Sequence, residues 1–303
     1  MHPVLKWAGA IAVVTGALTV TVAVYLYVAS EAVIERRYPL PAIEEPAPPS
    51  PKTLERGFHL VQIAGCGDCH GADFGGRPSK GAEPLRVWSS NLRISAARMS
   101  DGEFERALRR GIASDATSLW AMPSADYAYM SEDDVAALLA YLRALGPAGP
   151  TRPRPVWDRD ARVALIEGRI VPAVLAVRDS PSSLDLGPRY DGGRYLARIS
   201  CGECHGTNLA GSPGRSIPDL GIVSLYNRPA FFDLLRRGIG AHHRRVPAMM
   251  RLSSIRFHVL ADYEIMALYD YLNARAHAPP ALLVREKANE LRHRAAIDAQ
   301  SEE

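Results

Sequence analysis

Cysteine is scarce in this chain of 303 residues, and its four copies stand in two short stretches. The stretches read CGDCHG from Cys66 and CGECHG from Cys201. So few cysteines in a chain of this length exclude a small scaffold held together by disulfides. Their confinement to one repeated signature indicates that both pairs serve the same chemistry.

An excess of charge of one sign is also lacking. The 36 Lys and Arg residues nearly balance the 33 Asp and Glu residues, which gives a net charge of +3 and a pI near 8.7. This balance is too even to indicate a nucleic-acid partner. Paired carboxylates, a nucleophile–base pair and a phosphate-binding loop are likewise missing, so the sequence shows no constellation for substrate chemistry.

Neither half of the chain shows the alternating pattern of β-strands. Val135, Leu138, Leu139 and Leu142 instead recur at helical spacing behind Ser131, a predicted N-cap. A matching stripe near the end of the second half consists of Ile265, Leu268, Tyr269 and Leu272. The sequence therefore predicts an all-α protein.

Charged residues are absent between Lys6 and Glu31, an interval that begins WAGAIAVVTGALTV at Trp7. About 20 apolar residues suffice to cross the hydrocarbon core as a helix. A cleaved signal peptide has a shorter apolar core, although residues 28–30 (VAS) resemble a weak cleavage site. The sequence predicts a single-pass transmembrane anchor, with cleavage as the alternative.

Two proline-rich breaks, at 38–51 and 146–155, divide the chain. The first is expected to be an extended spacer that holds the next domain away from the bilayer. One signature lies on each side of the second break, which indicates two domains. We predict an anchor and spacer at 1–51, a first domain at 52–146, a connecting segment at 147–182, a second domain at 183–276 and a charged helical tail at 277–303.

The two halves repeat one another over three blocks in the same order. RGFHLVQIAGCGDCHGADFGG matches GGRYLARISCGECHGTNLAG, with Gly65 as one extra residue before the first cysteine. FERALRRGI from Phe104 matches FFDLLRRGI from Phe231, and SEDDVAALLAYLRAL from Ser131 matches ADYEIMALYDYLNAR from Ala261. The pattern indicates duplication of one small helical domain.

The repeated signature is C-x-x-C-H, the attachment motif of c-type haem. On one helical turn both thiols lie on the same face and bond to the porphyrin, and the following histidine reaches the iron. A dithiol redox pair or half of a zinc site also contains C-x-x-C, but neither requires the histidine that follows in both repeats. The sequence therefore predicts two covalently attached haem c groups. They are held by Cys66, Cys69 and His70 in the first half, and by Cys201, Cys204 and His205 in the second.

The second axial ligand of each iron must come from another part of the chain. Methionine is common in electron-transfer haems and raises the reduction potential. Met122 lies ten residues after Ile112, and Met249 lies ten residues after Ile239, each in a predicted loop before the last helix of its domain. The repeat therefore favours Met122 and Met249 as iron ligands.

Other side chains compete for this role. Met250 directly follows Met249, and a three-residue insertion after this point leaves the choice between them open. His242 or His243 would give bis-histidine ligation, but the matching first-half loop has no histidine, so HHRR is expected to be an exposed basic loop. The remaining methionines either lack a counterpart (Met99) or fit core packing (Met130 and Met266).

With these motifs the chain resembles the membrane-anchored dihaem cytochromes c built from two class I cytochrome c domains. It is most similar to the cytochrome subunits of periplasmic alcohol, gluconate or similar dehydrogenases. The resemblance covers about 53–275 and rests on both C-x-x-C-H-G motifs, on SNLRISAARMSDGEFERALRRGI, and on AMPSADYAYMSEDDVAALLAYLRAL with its second-half counterpart. It implies about three to five helices around each haem.

The chain departs from this family in two respects. Cytochrome subunits of alcohol dehydrogenases usually hold three haems, whereas this chain has two signatures. The proline that normally follows the axial methionine is present as Pro123 but is replaced by Met250 in the second half. The second departure weakens the assignment of Met249.

The resemblance implies that haem is attached at the outer face of the bacterial cytoplasmic membrane, so both domains are expected in the periplasm. The leading hypothesis is a membrane-tethered electron carrier, not itself an enzyme. It would relay electrons from a periplasmic dehydrogenase or another donor toward a quinone or terminal oxidase. The alternative is a dihaem peroxidase or oxidoreductase subunit with one open iron. The arginines of the two LRRG stretches have two interpretations. They contact an acidic partner or the haem propionates, or they are ordinary residues of the helix surface.

Overall fold

The computed structural model describes residues 3–40, 50–79, 84–212, 214, 216–279 and 282, and these form an all-α protein, which confirms the predicted class. One small antiparallel ribbon, β1 (Pro78–Ser79) with β2 (Val87–Trp88), is the only sheet among the described residues. In chain order, the helices are α1 (Pro3–Ile34), α2 (Pro51–Ile63), α3 (Cys66–His70), α4 (Leu92–Arg98), α5 (Asp101–Glu105), α6 (Ser124–Tyr127), α7 (Glu132–Ala144), α8 (Arg159–Ile166), α9 (Ala173–Asp179), α10 (Asp191–His205), α11 (Arg228–Arg237), α12 (Pro247–Ile255) and α13 (Asp262–Ala276).

Helix α1 is apolar along almost its whole length. Its part from Trp7 to Ile34 has 28 residues, and the most apolar window of 18 residues within it has a mean hydropathy of 2.1 and is not buried in the protein. A helix needs about 20 apolar residues to cross the hydrocarbon core of a bilayer. Helix α1 therefore has the length and the composition that a membrane span requires.

The last turns of α1 pack against the rest of the protein. Arg162 of α8 forms an ion pair with Glu31 at 2.8 Å, donates to the Ser30 hydroxyl at 2.7 Å and lies over the Tyr27 ring at 4.5 Å. Ile34 joins a small buried cluster whose other members are Leu85, Ala161, Ala164, Leu165 and Ile170. These contacts join the end of α1 to the connecting segment and, through Leu85, to the first domain.

In the first domain, α2 crosses α7 at a residue without a side chain. A Cβ atom on Gly57 would overlap the Ala137 carbonyl and the Cβ of Tyr141. Glycine therefore allows the two backbones to come into contact. Helix α7 begins at the predicted N-cap, where the Ser131 hydroxyl accepts a hydrogen bond from the Asp134 N–H at 3.2 Å.

The second domain repeats this crossing with α10 and α13. A Cβ atom on Gly193 would overlap the Ala267 carbonyl and the Cβ of Tyr271. Gly193 corresponds to Gly57 in the sequence repeat, and Tyr271 corresponds to Tyr141. The duplicated sequence blocks therefore form the same pair of crossed helices in both halves.

The two domains pack together through equivalent residues. Nε2 of His59 on α2 lies 2.9 Å from Oε1 of Glu264 at the start of α13. Tyr195 on α10 donates to Oδ2 of Asp134 at the start of α7, at 2.5 Å. His59 corresponds to Tyr195 in the repeat, and Asp134 corresponds to Glu264. This reciprocal pairing relates the domains by an approximate twofold axis, and their buried side chains form one continuous core.

The connecting segment at 147–182 contains α8 and α9 and packs on the first domain. The Ala173 N–H at the start of α9 donates to the Leu119 carbonyl at 2.9 Å. The segment therefore belongs structurally with the first half of the chain. Two predicted segments lie wholly or mostly outside the described residues: 41–49 of the spacer, and the tail apart from 277–279 and 282.

Candidate functional site

The first signature forms a single helical turn, α3, between two glycines with left-handed backbone. Gly65 before the turn has φ of 70°, and Gly71 after it has φ of 85°. Glycine adopts both conformations without strain. Cys66 and Cys69 lie on this turn, and His70 ends it with a buried side chain. One short element therefore presents both thiols and the imidazole.

The second signature forms the last turn of α10. This helix runs unbroken from Asp191 through Cys201 and Cys204 to His205. Gly206 follows with φ of 79° and ends the helix. The same three chemical groups are thus presented at the end of a longer helix, without the break that precedes α3.

Each signature histidine is oriented by a backbone carbonyl. Nδ1 of His70 lies 2.7 Å from the Ser90 oxygen, and Nδ1 of His205 lies 2.8 Å from the Pro218 oxygen. A carbonyl can only accept, so the proton is on Nδ1 and the lone pair of Nε2 is free to bind a metal. Burial lowers the pKa of both imidazoles, which favours the neutral ring that metals require.

A cavity of 720 Å³ opens beside the second signature. Small-molecule and cofactor sites typically have volumes of about 300–1,000 Å³ and mainly apolar walls. The wall of this cavity is mainly apolar and includes Cys201, Cys204, His205 and Met249. Met250 is not part of the wall and is 37% exposed. The cavity therefore favours Met249 over Met250 as the candidate methionine ligand at the second signature.

Met249 lies in a helix, although the sequence predicted a loop. Pro247 begins α12, and Met249 falls in its first turn, where its carbonyl accepts a hydrogen bond from the Ser253 hydroxyl at 2.7 Å. The second half has three more residues than the first between this methionine and the last helix. The added length permits a helix of nine residues in place of the four-residue α6.

His242 lines the same cavity as Met249. It lies in a helical turn at Ala241–His243 and has a left-handed φ of 56°. His243 is not part of the cavity wall, and the HHRR loop is exposed, as the sequence predicts. The bis-histidine alternative therefore retains one candidate, His242.

Met122 lies in the turn before α6, as the sequence predicts, and packs half-buried against the main core. Cys66 packs half-buried against the same core. Met130 is fully buried, which confirms its predicted role in packing. The same prediction for Met266 is wrong, because its neighbour Ile265 faces the core and Met266 is 46% exposed.

The signatures do not assemble into a zinc centre. Within the described ranges of the chain, no three His, Cys, Asp or Glu side chains come together as a metal site. Two thiols, an imidazole with a free Nε2 and an apolar cavity fit a covalently attached haem.

The arginines of the LRRG stretches form contacts within their own domains. Arg109 pairs with Glu105 at 3.1 Å. Its counterpart Arg236 donates to the Leu260 carbonyl at 2.6 Å and pairs with Asp262 at 2.8 Å. These contacts give both residues a structural role within their own domains.

Arg256 is a residue of the site that the sequence did not reveal. Its Nε lies 2.5 Å from Oδ2 of Asp68, and its Nη2 lies 2.7 Å from Oε2 of Glu203. Each acid stands directly before the second cysteine of its signature, next to Cys69 or Cys204. The guanidinium therefore contacts both signatures. An acid at the same place in both signatures is the one sequence signal that pointed to a shared cation.

Comparison with known proteins agrees with this geometry. Residues 54–146 match the family model of cytochrome c. The gluconate 2-dehydrogenase cytochrome c subunit of Pantoea cypripedii is 28% identical over 169 residues, and the similarity covers 50% of this chain and 37% of the relative. The alcohol dehydrogenase (quinone) cytochrome c subunit of Gluconobacter oxydans (strain 621H) is 26% identical over 169 residues, and the similarity covers 50% of this chain and 34% of the relative.

A longer similarity connects the chain to the alcohol dehydrogenase (quinone) cytochrome c subunit of Gluconacetobacter polyoxogenes. It is 23% identical over 273 residues, and the similarity covers 75% of this chain and 57% of the relative. The chain thus spans less than two thirds of the length of each of these relatives. All three are cytochrome c subunits and not the catalytic subunits of their enzymes. The chain is therefore similar to the cytochrome c subunits of gluconate and alcohol dehydrogenases, and its residues 54–146 match the cytochrome c family model.

Proposed function

We propose that the chain is a membrane-anchored dihaem c-type cytochrome that relays electrons from a periplasmic dehydrogenase to the respiratory chain. The observation that carries the proposal is the duplicated arrangement of two thiols and a carbonyl-oriented histidine, His70 and His205, in two packed domains. The cytochrome c match at 54–146 and the similarity to dehydrogenase cytochrome subunits support it.

The two haem sites take equivalent residues from the two repeats. Bound haem c supplies one-electron exchange between ferric and ferrous iron. With one histidine and one methionine bound to each iron, no iron position would remain for a substrate, which would suit a carrier. In the first domain, the proposed attachment residues are Cys66 and Cys69, and the proposed iron ligands are His70 and Met122. In the second domain, the proposed attachment residues are Cys201 and Cys204, and the proposed iron ligands are His205 and Met249.

The protein contributes orientation, shielding and electrostatics. The Ser90 and Pro218 carbonyls fix the histidine rings, and hydrogen bonds of this kind also make the ring a better ligand. Buried apolar side chains around the second site limit the access of water, and such a shell helps to set a reduction potential. Those that line its cavity include Phe231, Leu235, Phe257 and Leu268.

We place both domains on the periplasmic side of the bacterial cytoplasmic membrane, with α1 as the anchor. The length and hydropathy of α1 support a span, and its last turns contact α8 through Arg162. These contacts would keep the first domain close to the membrane surface. A short distance between the first domain and the bilayer suits a carrier whose acceptor is a quinone or a membrane-bound terminal oxidase.

The donor we propose is a periplasmic dehydrogenase, since the similar proteins are subunits of gluconate and alcohol dehydrogenases. The test is to purify the chain from its native membrane in mild detergent. We expect a dehydrogenase to co-purify, and its substrate to reduce both haems. Ready binding of carbon monoxide to one ferrous haem at neutral pH would contradict the relay and support the dihaem peroxidase alternative.

A further inference from the structure

Arg256 joins the two haem-attachment helices. It lies between α12 and a short helical turn at Phe257–Val259, and its side chain is 5% exposed. Its guanidinium contacts Asp68 on α3 and Glu203 in the last turn of α10. The two signatures, on different domains, are therefore separated at this point by one guanidinium group.

The extra residue of the first repeat makes room for this contact. A Cβ atom on Gly65 would overlap the guanidinium of Arg256, and its φ of 70° also favours glycine. The second repeat lacks this residue, and α10 runs unbroken through the equivalent position. The insertion therefore opens the first attachment helix to a side chain from the other domain.

The charge of Arg256 acts on both signatures. Its guanidinium contacts the residue next to Cys69 in the first signature and the residue next to Cys204 in the second. Arg256 also lines the cavity beside the second signature. Because the group is buried, water screens its charge less than it would on the surface.

We propose that Arg256 is a positioning residue shared by both haems, which holds the two attachment helices together and raises both reduction potentials. The inference rests on the proposed function, since it requires a haem at each signature. Asp68 and Glu203 alone place two negative charges beside the haem positions, and negative charge favours ferric iron over ferrous iron. The guanidinium offsets one of these charges and therefore favours reduction at both sites.

An ordinary interdomain ion pair would behave differently. Loss of Arg256 would then reduce stability, because two half-buried carboxylates would lose their partner, but it would leave the potentials of the folded protein unchanged. The two potentials therefore separate a role toward the haems from a role in packing alone.

The experiment is a spectroelectrochemical titration of the full-length protein with both haems bound. Arg256→Met should shift both midpoint potentials to lower values. Arg256→Lys should keep both near their original values, because the charge remains, although one ammonium group cannot form the fork of two bonds. The triple variant Arg256→Met, Asp68→Asn, Glu203→Gln removes all three charges, and both of its potentials should lie above those of the unmodified protein.

Arg56→Met is the matched control. Arg56 is another cation at the domain interface, paired with Asp134 at 2.8 Å and 3.9 Å from Glu264, and these contacts involve neither signature. Its loss should shift the potentials less than the loss of Arg256. Equal shifts from the two variants would contradict the proposal, as would an Arg256→Met protein with one or both potentials unchanged.

The triple variant keeps the test decisive if Arg256→Met does not fold, since it leaves no carboxylate unpaired. Potentials of the triple variant at or below those of the unmodified protein would overturn the proposal. Haem content separates this failure from failure of the proposed function. A protein with two haems and unresponsive potentials contradicts only the role of Arg256, whereas a chain without covalent haem contradicts the function itself.

Discussion

The two domains share a fold and the orientation of their histidines, but they differ where they meet. When the two domains are aligned on their last helices, Asp126 of the first domain corresponds to Arg256 of the second. Arg256 reaches the first signature at Asp68, and Asp126 reaches the second, where a Cβ atom on Gly202 would overlap its carboxylate. The duplicated position thus makes reciprocal contacts, with an acid in one copy and a base in the other.

The two charges have different surroundings. Arg256 has two carboxylate partners, whereas Asp126 is 5% exposed and its Oδ1 has no hydrogen-bond partner among the described residues. Burial raises the pKa of Asp126 to about 7, with Arg198 opposing the rise and Glu203 adding to it. Sequence divergence therefore gave one copy a stabilised cation and the other an acid that favours its neutral form.

The largest expected effect tests what the domains share. Gly57→Ala and Gly193→Ala should each destabilise the protein by about 1–3 kcal/mol or more, because the new methyl group would meet the backbone of the crossing helix. Thermal unfolding measured by circular dichroism checks this. Gly192→Ala is the matched control, since a Cβ atom there meets nothing within 4 Å. If either substitution left the thermal stability unchanged, the two helix crossings would not be equivalent.

The next effect tests the axial ligands. Met122→Ala and Met249→Ala should each remove the near-infrared sulfur-to-iron band of one haem and lower its reduction potential. Met250→Ala should leave both bands intact, because Met250 is not part of the cavity wall. Retention of both bands in Met249→Ala, or a change of the second haem's spectrum in His242→Ala, would show that the second domain uses a different ligand.

The smallest effect sharpens the contrast at the duplicated position. Because the pKa of Asp126 is raised to about 7, its contribution to stability is present below its ordinary pKa and is lost as pH rises toward 7. Asp126→Asn should therefore lose less stability than the unmodified protein as pH rises from about 4 to 7.

Unfolding at pH 5 and pH 8 measures this difference. Above pH 7 the Asp126→Asn protein should be the more stable of the two. Asp133→Asn, at an exposed position at the start of α7, is the control and should leave the pH dependence unchanged. An Asp126→Asn protein that loses stability in parallel with the unmodified one would contradict the raised pKa.

Local sequence rules anticipated the features that depend on neighbours in the chain. The helical class follows from spacing, the start of α7 from Ser131, and the exposed basic loop at His242 and His243 from composition. The turn at Met122 follows from the repeat. Each of these depends on a few consecutive residues, which the sequence displays directly.

Features that depend on packing between distant segments were beyond those rules. The helix around Met249 results from three extra residues whose conformation no motif specifies, and the exposure of Met266 depends on which face of α13 the other helices cover. Arg256 lies 188 residues from Asp68 in the sequence, so only the packed domains show the pair. The contact of α1 with Arg162 is another case of this kind.

Intact mass spectrometry of the purified protein tests the central claim most directly. The account predicts a mass increase of two haem groups, retained under denaturing conditions because the attachment is covalent. It also predicts one haem in the double variant Cys66→Ala, Cys69→Ala, and one in Cys201→Ala, Cys204→Ala. A single haem or none in the unmodified protein, or the loss of both haems from either folded variant, would contradict two equivalent haem-binding domains.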